Sequence, residues 1–480
     1  MNEKNYYNKH CRFKERHSNG IEMRLHRRAK KRSFITTYII AGGFLLLIIL
    51  GSVLLHLPIS AADGKAVPYI DSLFTATTAV CVTGLVTVPT FSAWSLFGQA
   101  VILVLIQLGG LGVISFTILF LQLLGQRLGL HEKQLIKDAY NLDTNRGMNI
   151  LITKIFKGTF LIEAVGAFAY GFVFVPEFGA MGIWKSVFNS VSAFCNAGMD
   201  ILGPDSLIPY RGNIAVNLIT SALIILGGIG FPIWFLAFDK VKEYINQKGN
   251  VRKTVKQLPI YAKTVLVTTA VLIFGGALVI FIMEFTNERT IGNLPLGEKI
   301  LASFFQSVTT RTAGFCTVPQ EGLRRCTVIV CSVLMFIGGS PSGTAGGIKT
   351  TTAAVLVMSL ISALSERNNT EIFKRTVNAD TVRKATSVFS LSFCVMLLSL
   401  TAFCAVQPGA FEDCLYEVVS AIGTVGLSRD LTYKLTEPAK LIIIGTMYLG
   451  RIGPISLALF FNTKKNANLI QYPEGKMPIG

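Results

Sequence analysis

The sequence predicts an all-α integral membrane protein in which four tandem units surround a pseudo-fourfold central pore. Of its 480 residues, 51% are hydrophobic and 15% are charged, whereas a soluble domain carries about 25% charged residues. Several apolar runs approach the roughly 20 residues that cross a bilayer as a helix. A short glycine-containing pattern also recurs four times at nearly equal spacing. Repetition at a fixed period indicates that similar structural units follow one another along the chain.

The recurring pattern ends in a glycine at positions 84, 198, 314 and 426, at intervals of 114, 116 and 112 residues. Four glycine-bearing loops around one axis would place a ring of backbone carbonyls around a bare cation. We call the four stretches the glycine segments. They are Cys81, Val82, Thr83 and Gly84; Cys195, Asn196, Ala197 and Gly198; Arg311, Thr312, Ala313 and Gly314; and Gly423, Thr424, Val425 and Gly426.

A short apolar stretch precedes each glycine segment. These stretches are about ten residues long, which is too short to span a bilayer, and we predict that they are re-entrant pore helices. Irregular backbone at membrane depth is tolerated where it is buried or lines an aqueous path, so the glycine segments should face such a path. Ordinary loops that contain glycine are the alternative. The stretches cover residues 69–79, 185–194, 300–310 and 414–422.

Each unit is predicted to contain a crossing, an outer connection, a pore helix, a glycine segment and a second crossing, which gives eight full spans. Lys and Arg concentrate in every second connection, at 127–157, 240–263 and 367–384. Because basic loops stay on the cytoplasmic side, both termini should be cytoplasmic in a multi-pass protein of the cell membrane. The units cover residues 34–125, 148–245, 258–365 and 381–465, and a cytoplasmic C-terminal tail covers 466–480.

Residues 1–33 form a basic tail with eleven Lys or Arg against three Glu. The basic part is longer than that of a signal peptide, and a full-length apolar run follows it. We expect a cytoplasmic N-terminal anchor that is attracted to anionic membrane lipid. A nucleic-acid partner is not expected.

A second glycine cluster recurs in the crossing after each glycine segment, and close helix packing through small residues would explain it. The fourth unit departs from this pattern, because Arg451 stands where the others have Gly110, Gly228 and Gly339. A charge at that depth costs at least ~2.5–3.5 kcal/mol unless it is paired or hydrated. Arg451 is therefore predicted to project into the ion path and repel cations. A structural arginine bonded to backbone carbonyls is the alternative.

The third unit departs from the pattern differently, because ten residues rich in glycine and hydroxyl side chains interrupt its second crossing. One proline and five glycines in that stretch disfavour a helix, so we predict a flexible gate, with a simple kink as the alternative. Lys349 adds a positive charge directly after it. This gating loop, residues 338–347, consists of Gly338, Gly339, Ser340, Pro341, Ser342, Gly343, Thr344, Ala345, Gly346 and Gly347.

Together these features resemble the Trk/Ktr/HKT superfamily of potassium transporters. The resemblance covers residues 34–465, and its most specific part is the stretch 338–352, GGSPSGTAGGIKTTT. Arg451 matches the pore arginine of the family. With four units and no extra pair of spans before them, the chain is more similar to the KtrB-like bacterial membrane subunits than to members with additional spans.

The resemblance implies potassium uptake through a channel-like pore that is gated by residues 338–347 and Arg451. It also implies a homodimer that assembles with a cytosolic, KtrA-like ring of RCK domains, which would carry any nucleotide. Uptake is stimulated by sodium in several members. All four filter positions are glycine here, as in the potassium-selective members. The backbone carbonyls that would hold potassium are those of Val82, Thr83, Asn196, Ala197, Thr312, Ala313, Thr424 and Val425.

Other functional classes fit the sequence less well. An enzyme needs convergent acid, base or metal groups, and the chain has only five histidines, with no H-x-x-x-H pattern, so we do not expect an enzyme. An ion-coupled, alternating-access cation symporter remains the alternative, and it would need carboxylates near the path. Glu163 and Glu284 are the main candidates, although both lie in first crossings, away from the expected axis.

Overall fold

The computed structural model describes residues 41–112, 148–247, 258–367 and 369–453, together with Ile39. The predicted tails lie outside these described residues, as do the ends of the second crossings of units 1 and 4. Within the described ranges the regular structure is helical, apart from a two-stranded hairpin.

The helices occur in four successive sets, and in each set a short helix leads into a glycine segment. Unit 1 contains α1 (Ala41–His56), α2 (Tyr69–Cys81) and α3 (Leu96–Leu111). Unit 2 contains α4 (Met148–Phe178), α5 (Ala180–Cys195), α6 (Ile214–Gly228) and α7 (Phe231–Gln247). Unit 3 contains α8 (Ile260–Glu284), α9 (Leu296–Thr309), α10 (Arg325–Phe336) and α11 (Thr350–Leu364). Unit 4 contains α12 (Ala379–Val406), α13 (Phe411–Gly423) and α14 (Glu437–Ile452).

The hairpin joins units 3 and 4. Strand β1 (Glu371–Ile372) pairs antiparallel with β2 (Arg375–Thr376), with Glu371 opposite Thr376. It connects α11 to α12, and it lies in one of the basic connections that were predicted to be cytoplasmic.

Three helices in the described part of the chain are long and apolar enough to cross a membrane. They are Ile152–Phe178 within α4, Ile260–Glu284 (α8) and Ala379–Val406 (α12), and the pair α6 and α7 would make a fourth span. Apolar side chains on α4, such as Leu161, Phe168 and Phe172, are 65–70% exposed. Such outward-facing apolar side chains are suited to contact with lipid.

The four short helices α2, α5, α9 and α13 are buried toward their carboxyl ends. In α2 every residue from Phe74 to Cys81 is buried, and in α13 every residue from Tyr416 to Gly423. The glycine segments follow these buried ends directly. They therefore lie inside the packed helices and not at the surface.

Three of the four helices that follow the glycine segments begin at a capping side chain. A side-chain oxygen at the N-cap accepts a hydrogen bond from a free backbone N–H of the first turn. Ser95 accepts from Gly98 (3.2 Å), Asn213 from Val216 (3.2 Å) and Thr436 from Ala439 (3.4 Å). Before α10 the residue is Arg324, whose backbone N–H donates instead to the carboxylate of Glu284 at 3.0 Å.

The apolar run at 214–238 is long enough for a single crossing, but the structure bends it by 99° between α6 and α7. Gly230 lies at the bend with φ +95°, a conformation that glycine adopts without steric cost. Gly112 and Gly453 occupy the same place in their glycine clusters, with φ +85° and +86°, where α3 and α14 end. Proline stands there in unit 3, at Pro341, and its ring fixes φ at a negative value.

Candidate functional site

The four glycines that end the glycine segments lie against one another in a closed ring. A side-chain carbon added to any of them would approach the carbonyl oxygen that precedes the next glycine in the ring. The pairs are Gly84 with Ala197 (2.5 Å), Gly198 with Ala313, Gly314 with Val425 (2.6 Å), and Gly426 with Thr83. Because the last pair returns to the first segment, the ring closes. A side chain at any of the four positions would collide with a neighbouring segment.

Each glycine segment has the same unusual backbone. The residue two positions before the glycine is left-handed in all four segments, a conformation that β-branched residues rarely adopt and that costs on the order of 1–3 kcal/mol to hold. These residues are Val82 (φ +55°), Asn196 (+59°), Thr312 (+72°) and Thr424 (+52°), and the glycines follow with φ +100°, +66°, +84° and +92°. The surrounding structure therefore imposes one local geometry on four different sequences.

A hydroxyl group near the end of each short helix holds the glycine segment in place. In units 1 and 4 the hydroxyl accepts from the glycine N–H, and in units 2 and 3 it donates to the carbonyl of the residue after the glycine. The bonds are Gly84 N–H to Thr78 (2.9 Å), Gly426 N–H to Ser420 (3.0 Å), Ser192 to the Met199 carbonyl (2.5 Å) and Thr309 to the Phe315 carbonyl (2.7 Å). All four hydroxyl residues are buried.

The first residue of each segment lies at the buried end of its short helix. Cys81 and Cys195 end α2 and α5, Gly423 ends α13, and all three are buried. Arg311 follows α9 and is 7% exposed, and its Nε atom has no hydrogen-bond partner among the described residues. A cavity of about 10 Å³ beside Arg311 is near the lower limit for one water molecule.

A larger cavity of about 610 Å³ opens on the four glycines. Its lining includes four acidic residues, Asp200, Asp205, Glu321 and Asp430, and no Lys or Arg among the described residues. Clefts lined by one sign of charge focus the field and raise the local concentration of counter-ions. Burial raises the pKa of Asp200 to about 6. We call this space the acidic cavity; of its four carboxylates, Asp430 is paired with Lys434 at 2.7 Å.

Arg451 is bonded to backbone carbonyls of two other units. Its Nη1 donates to the carbonyl of Thr344 in the predicted gating loop, and its Nη2 donates to those of Gly109 and Gly110. The last two are free carbonyls at the end of α3. The carbonyl-bonded arginine was the alternative prediction for this residue, and this bonding is present in the structure.

The predicted gating loop is non-helical and lies between α10 and α11. It docks on the bend between α6 and α7. Backbone bonds join Ser340 N–H to Gly228 (2.9 Å), Thr344 N–H to Gly227 (3.2 Å) and Phe231 N–H to Ser342 (3.0 Å). Broken spans need partners for the freed backbone groups, and these two breaks supply partners for each other. Sequence reasoning found the break in unit 3 and missed the one in unit 2, for which Gly230 followed by Pro232 was the available signal.

Lys349, two residues after the gating loop, bonds back to it. Its Nζ donates to the carbonyl of Ala345 at 2.7 Å. The side chain thereby closes the carboxyl end of the loop onto itself, directly before α11 begins at Thr350.

Glu163 and Glu284, the two carboxylates that a coupled symporter would use, differ in their surroundings. Glu163 on α4 accepts from Gln107 at 3.2 Å and lies 3.9 Å from the thiol of Cys195, so it contacts a glycine segment from behind. This contact brings Glu163 nearer to the glycine ring than its position in a first crossing suggested. Glu284 accepts four hydrogen bonds at the end of α8, from Asn287, Thr290, Arg324 and Thr327.

Comparison with known proteins shows that the chain is similar to transport proteins. The family model described as "TrkH: Cation transport protein" matches residues 23–472. The chain is 38% identical over 448 residues to "Ktr system potassium uptake protein B" of Bacillus subtilis, covering 93% of this chain and 97% of that one. It is also 38% identical over 465 residues to "Potassium/sodium uptake protein NtpJ" of Enterococcus hirae, covering 95% and 99%.

A solved structure has a similar fold. The potassium transporter TrkH from Vibrio parahaemolyticus matches with a TM-score of 0.66 at 18% identity, covering 88% of this chain and 85% of that one. At this identity the similarity concerns the fold alone.

Proposed function

The chain belongs to the TrkH family of cation transport proteins, as a KtrB-like member of the Trk/Ktr superfamily, and from this premise we propose that it takes up potassium through a channel-like pore. The closed ring of four glycines is the observation that carries the proposal. A ring in which each glycine abuts the next segment's carbonyl suits a filter made of backbone oxygens, which replace the hydration shell of an ion.

The carbonyls of the two residues before each glycine are the proposed potassium ligands. They belong to Val82, Thr83, Asn196, Ala197, Thr312, Ala313, Thr424 and Val425. The repeated left-handed backbone supports this assignment, since strained conformations persist where the structure holds a functional geometry. The acidic cavity would concentrate cations next to the ring.

The proposed architecture is four units around one pore, with eight spans in the cytoplasmic membrane and both termini in the cytoplasm. The long apolar helices α4, α8 and α12 and the bent pair α6 and α7 support it. The similarity to the TrkH fold supports it as well.

We assign gating to residues 338–347, Lys349 and Arg451. Support comes from the hydrogen bonds of Arg451 to the carbonyls of Thr344, Gly109 and Gly110. An arginine held at the junction of two units places a positive charge beside the proposed path. A cation would have to pass this charge, or the loop and the arginine would have to move.

The partners are proposed from the relatives. One relative is named as part of a "Ktr system", which supports a second, cytosolic component of the KtrA type, with RCK domains that carry the nucleotide. Another is named for potassium and sodium, which supports a role for sodium in uptake. We propose a homodimer in the membrane.

Potassium efflux from liposomes that contain the purified protein tests the filter assignment. At Gly314 the added side chain of Gly314→Ser would lie 2.6 Å from the Val425 carbonyl, at a positive φ. We expect this variant to lose at least about tenfold in potassium-over-sodium preference, which corresponds to about 1.4 kcal/mol.

The matched control is Gly275→Ser, because a side chain there meets nothing within 4 Å. It should keep the wild-type preference. If Gly314→Ser also kept it, the filter assignment would be wrong.

A coupled symporter is the second candidate, and the contact between Glu163 and Cys195 favours it. The same liposomes distinguish the two. A channel-like pore gives downhill potassium flux with no pH gradient and no sodium, whereas an obligatory symporter stays silent until the coupling ion is added.

A further inference from the structure

Thr344 occupies the junction between the gating loop and the ring. Its buried hydroxyl lies 3.2 Å from the carbonyl of Phe194 and 3.3 Å from the side-chain amide of Asn196. Its own carbonyl accepts from Arg451, and its N–H donates to Gly227. One loop residue therefore contacts a glycine segment, the end of α6 and the arginine together.

The amide of Asn196 extends this contact to a second glycine segment. In the orientation that suits its partners, the two N–H groups of Nδ2 have three acceptors in reach: the Thr344 hydroxyl (3.3 Å), the Phe194 carbonyl (3.2 Å) and the Ile224 carbonyl (3.3 Å). Oδ1 accepts from the Thr312 hydroxyl (3.2 Å). Asn196 is 1% exposed. The chain of contacts therefore runs from the arginine through the loop to the segments of units 2 and 3.

Within the described ranges, the contact between Thr344 and Asn196 has no counterpart at the equivalent positions of units 1 and 4. The left-handed position that Asn196 fills is occupied in unit 1 by Val82, which has no polar side-chain atom. In unit 4 it is Thr424, whose buried hydroxyl has no partner among the described residues. The gating loop packs against Thr424, because a side chain at Gly346 would collide with it. No hydrogen bond of the Thr424 hydroxyl accompanies this contact among the described residues.

We propose that Thr344 and Asn196 form a positioning link through which the gating loop sets the ion selectivity of the ring. This inference rests on the proposed potassium pore. A loop that moves to open the path withdraws the Thr344 hydroxyl and leaves a buried amide without one of its partners. The segments of units 2 and 3 then lose part of the contact that fixes their separation. By linkage, an ion bound in the ring also stabilises the docked loop.

Thr344→Val tests the link, because it removes the hydroxyl and keeps nearly the same volume. We expect the sodium-to-potassium permeability ratio in liposomes to rise about fivefold, the low end of allosteric couplings, along with a higher potassium flux. Thr344→Ser restores the hydroxyl and should restore the ratio. A role in loop stability alone would raise the flux and leave the ratio unchanged.

Asn196→Val is the second variant, since it places at this position the residue that unit 1 carries. It should raise the ratio as Thr344→Val does. The double variant should add little, because both changes break one interaction. Thr446→Val is the matched control: Thr446 is 2% exposed, and among the described residues its hydroxyl bonds only to the Ile442 carbonyl within α14. Its ratio and flux should match the wild type.

The outcomes separate the two proposals. A wild-type protein that passes no potassium contradicts the proposed function. A conducting wild type whose ratio is unchanged by Thr344→Val and by Asn196→Val overturns the link and leaves the pore intact. If Thr344→Val does not fold, as judged by its elution in detergent, Asn196→Val and Thr344→Ser carry the same comparison.

Discussion

Arg451 is one residue with two separable properties, a charge and a set of hydrogen bonds. The guanidinium fork reaches carbonyls in units 1 and 3 at once, which a lysine ammonium on a flexible stem cannot reproduce in the same geometry. Charge and bonding can therefore be tested apart.

Arg451→Ala should raise potassium flux about tenfold, as a barrier lowered by about 1.4 kcal/mol would. Arg451→Lys keeps the charge and loses the fork. If the charge is the barrier, flux through Arg451→Lys stays near wild type. Equal increases in both variants would assign the barrier to the docked loop, and no increase in Arg451→Ala would refute a barrier at this residue. Flux from liposomes measures both.

At the residue scale, the sequence predicted those site residues that recur in every unit or that interrupt such a recurrence. The four glycines could be found because each unit has one, and Arg451 because it breaks a repeat. The contact of Asn196 with Thr344 joins residues 148 positions apart, and no periodicity predicts a side-chain contact at that separation. The nearness of Glu163 to Cys195 was missed for the same reason.

At the scale of elements, the gating loop and the bend between α6 and α7 form one structure. Each break exposes backbone groups that the other bonds, and Tyr261 adds a bond to the Pro341 carbonyl at 3.2 Å. The sequence predicted the short helices from their length and the loop from its composition. It did not predict the bend, because the apolar run continues through it and the only local signal is Gly230 followed by Pro232.

Gly230→Ala should disturb this joint. A Cβ there would lie 2.5 Å from the Pro341 carbonyl oxygen, and φ is +95°. We expect the free energy of unfolding to fall by about 1–2 kcal/mol, the cost of a left-handed residue, and potassium flux to rise as the loop is displaced. Thermal unfolding in detergent and flux in liposomes measure the two effects.

Gly171→Ala in α4 is the comparison, because the nearest atom to a side chain there is at 3.9 Å. Alanine favours a helix over glycine, so this variant should be at least as stable as the wild type. If the two variants had the same stability and flux, a glycine at the bend would not be needed for either.

At the scale of the whole molecule, the proposed eight-span arrangement predicts which connections face which side. Lys65 lies exposed in a connection predicted to be outside, and Arg375 lies exposed in the hairpin predicted to be cytoplasmic. Lys65→Cys should react with a membrane-impermeant thiol reagent on intact cells, and Arg375→Cys only after the cells are opened. The parent chain measures the background from its exposed cysteines, such as Cys326 and Cys394. Labelling of both new thiols from one side would refute the arrangement.

The closed ring has a consequence for how such a protein can carry asymmetry. A channel assembled from four identical subunits repeats every residue four times, so an arginine at the position of Arg451 would put four positive charges around the path. Here four different sequences in a single polypeptide close the same ring. Three units can keep glycine at this position while the fourth carries a charge, and a gating loop can interrupt the second crossing of unit 3 alone. Four tandem units in one chain thus allow a nearly symmetric ring to have one charge and one gating loop. A homotetramer could obtain such a single feature only from an added subunit.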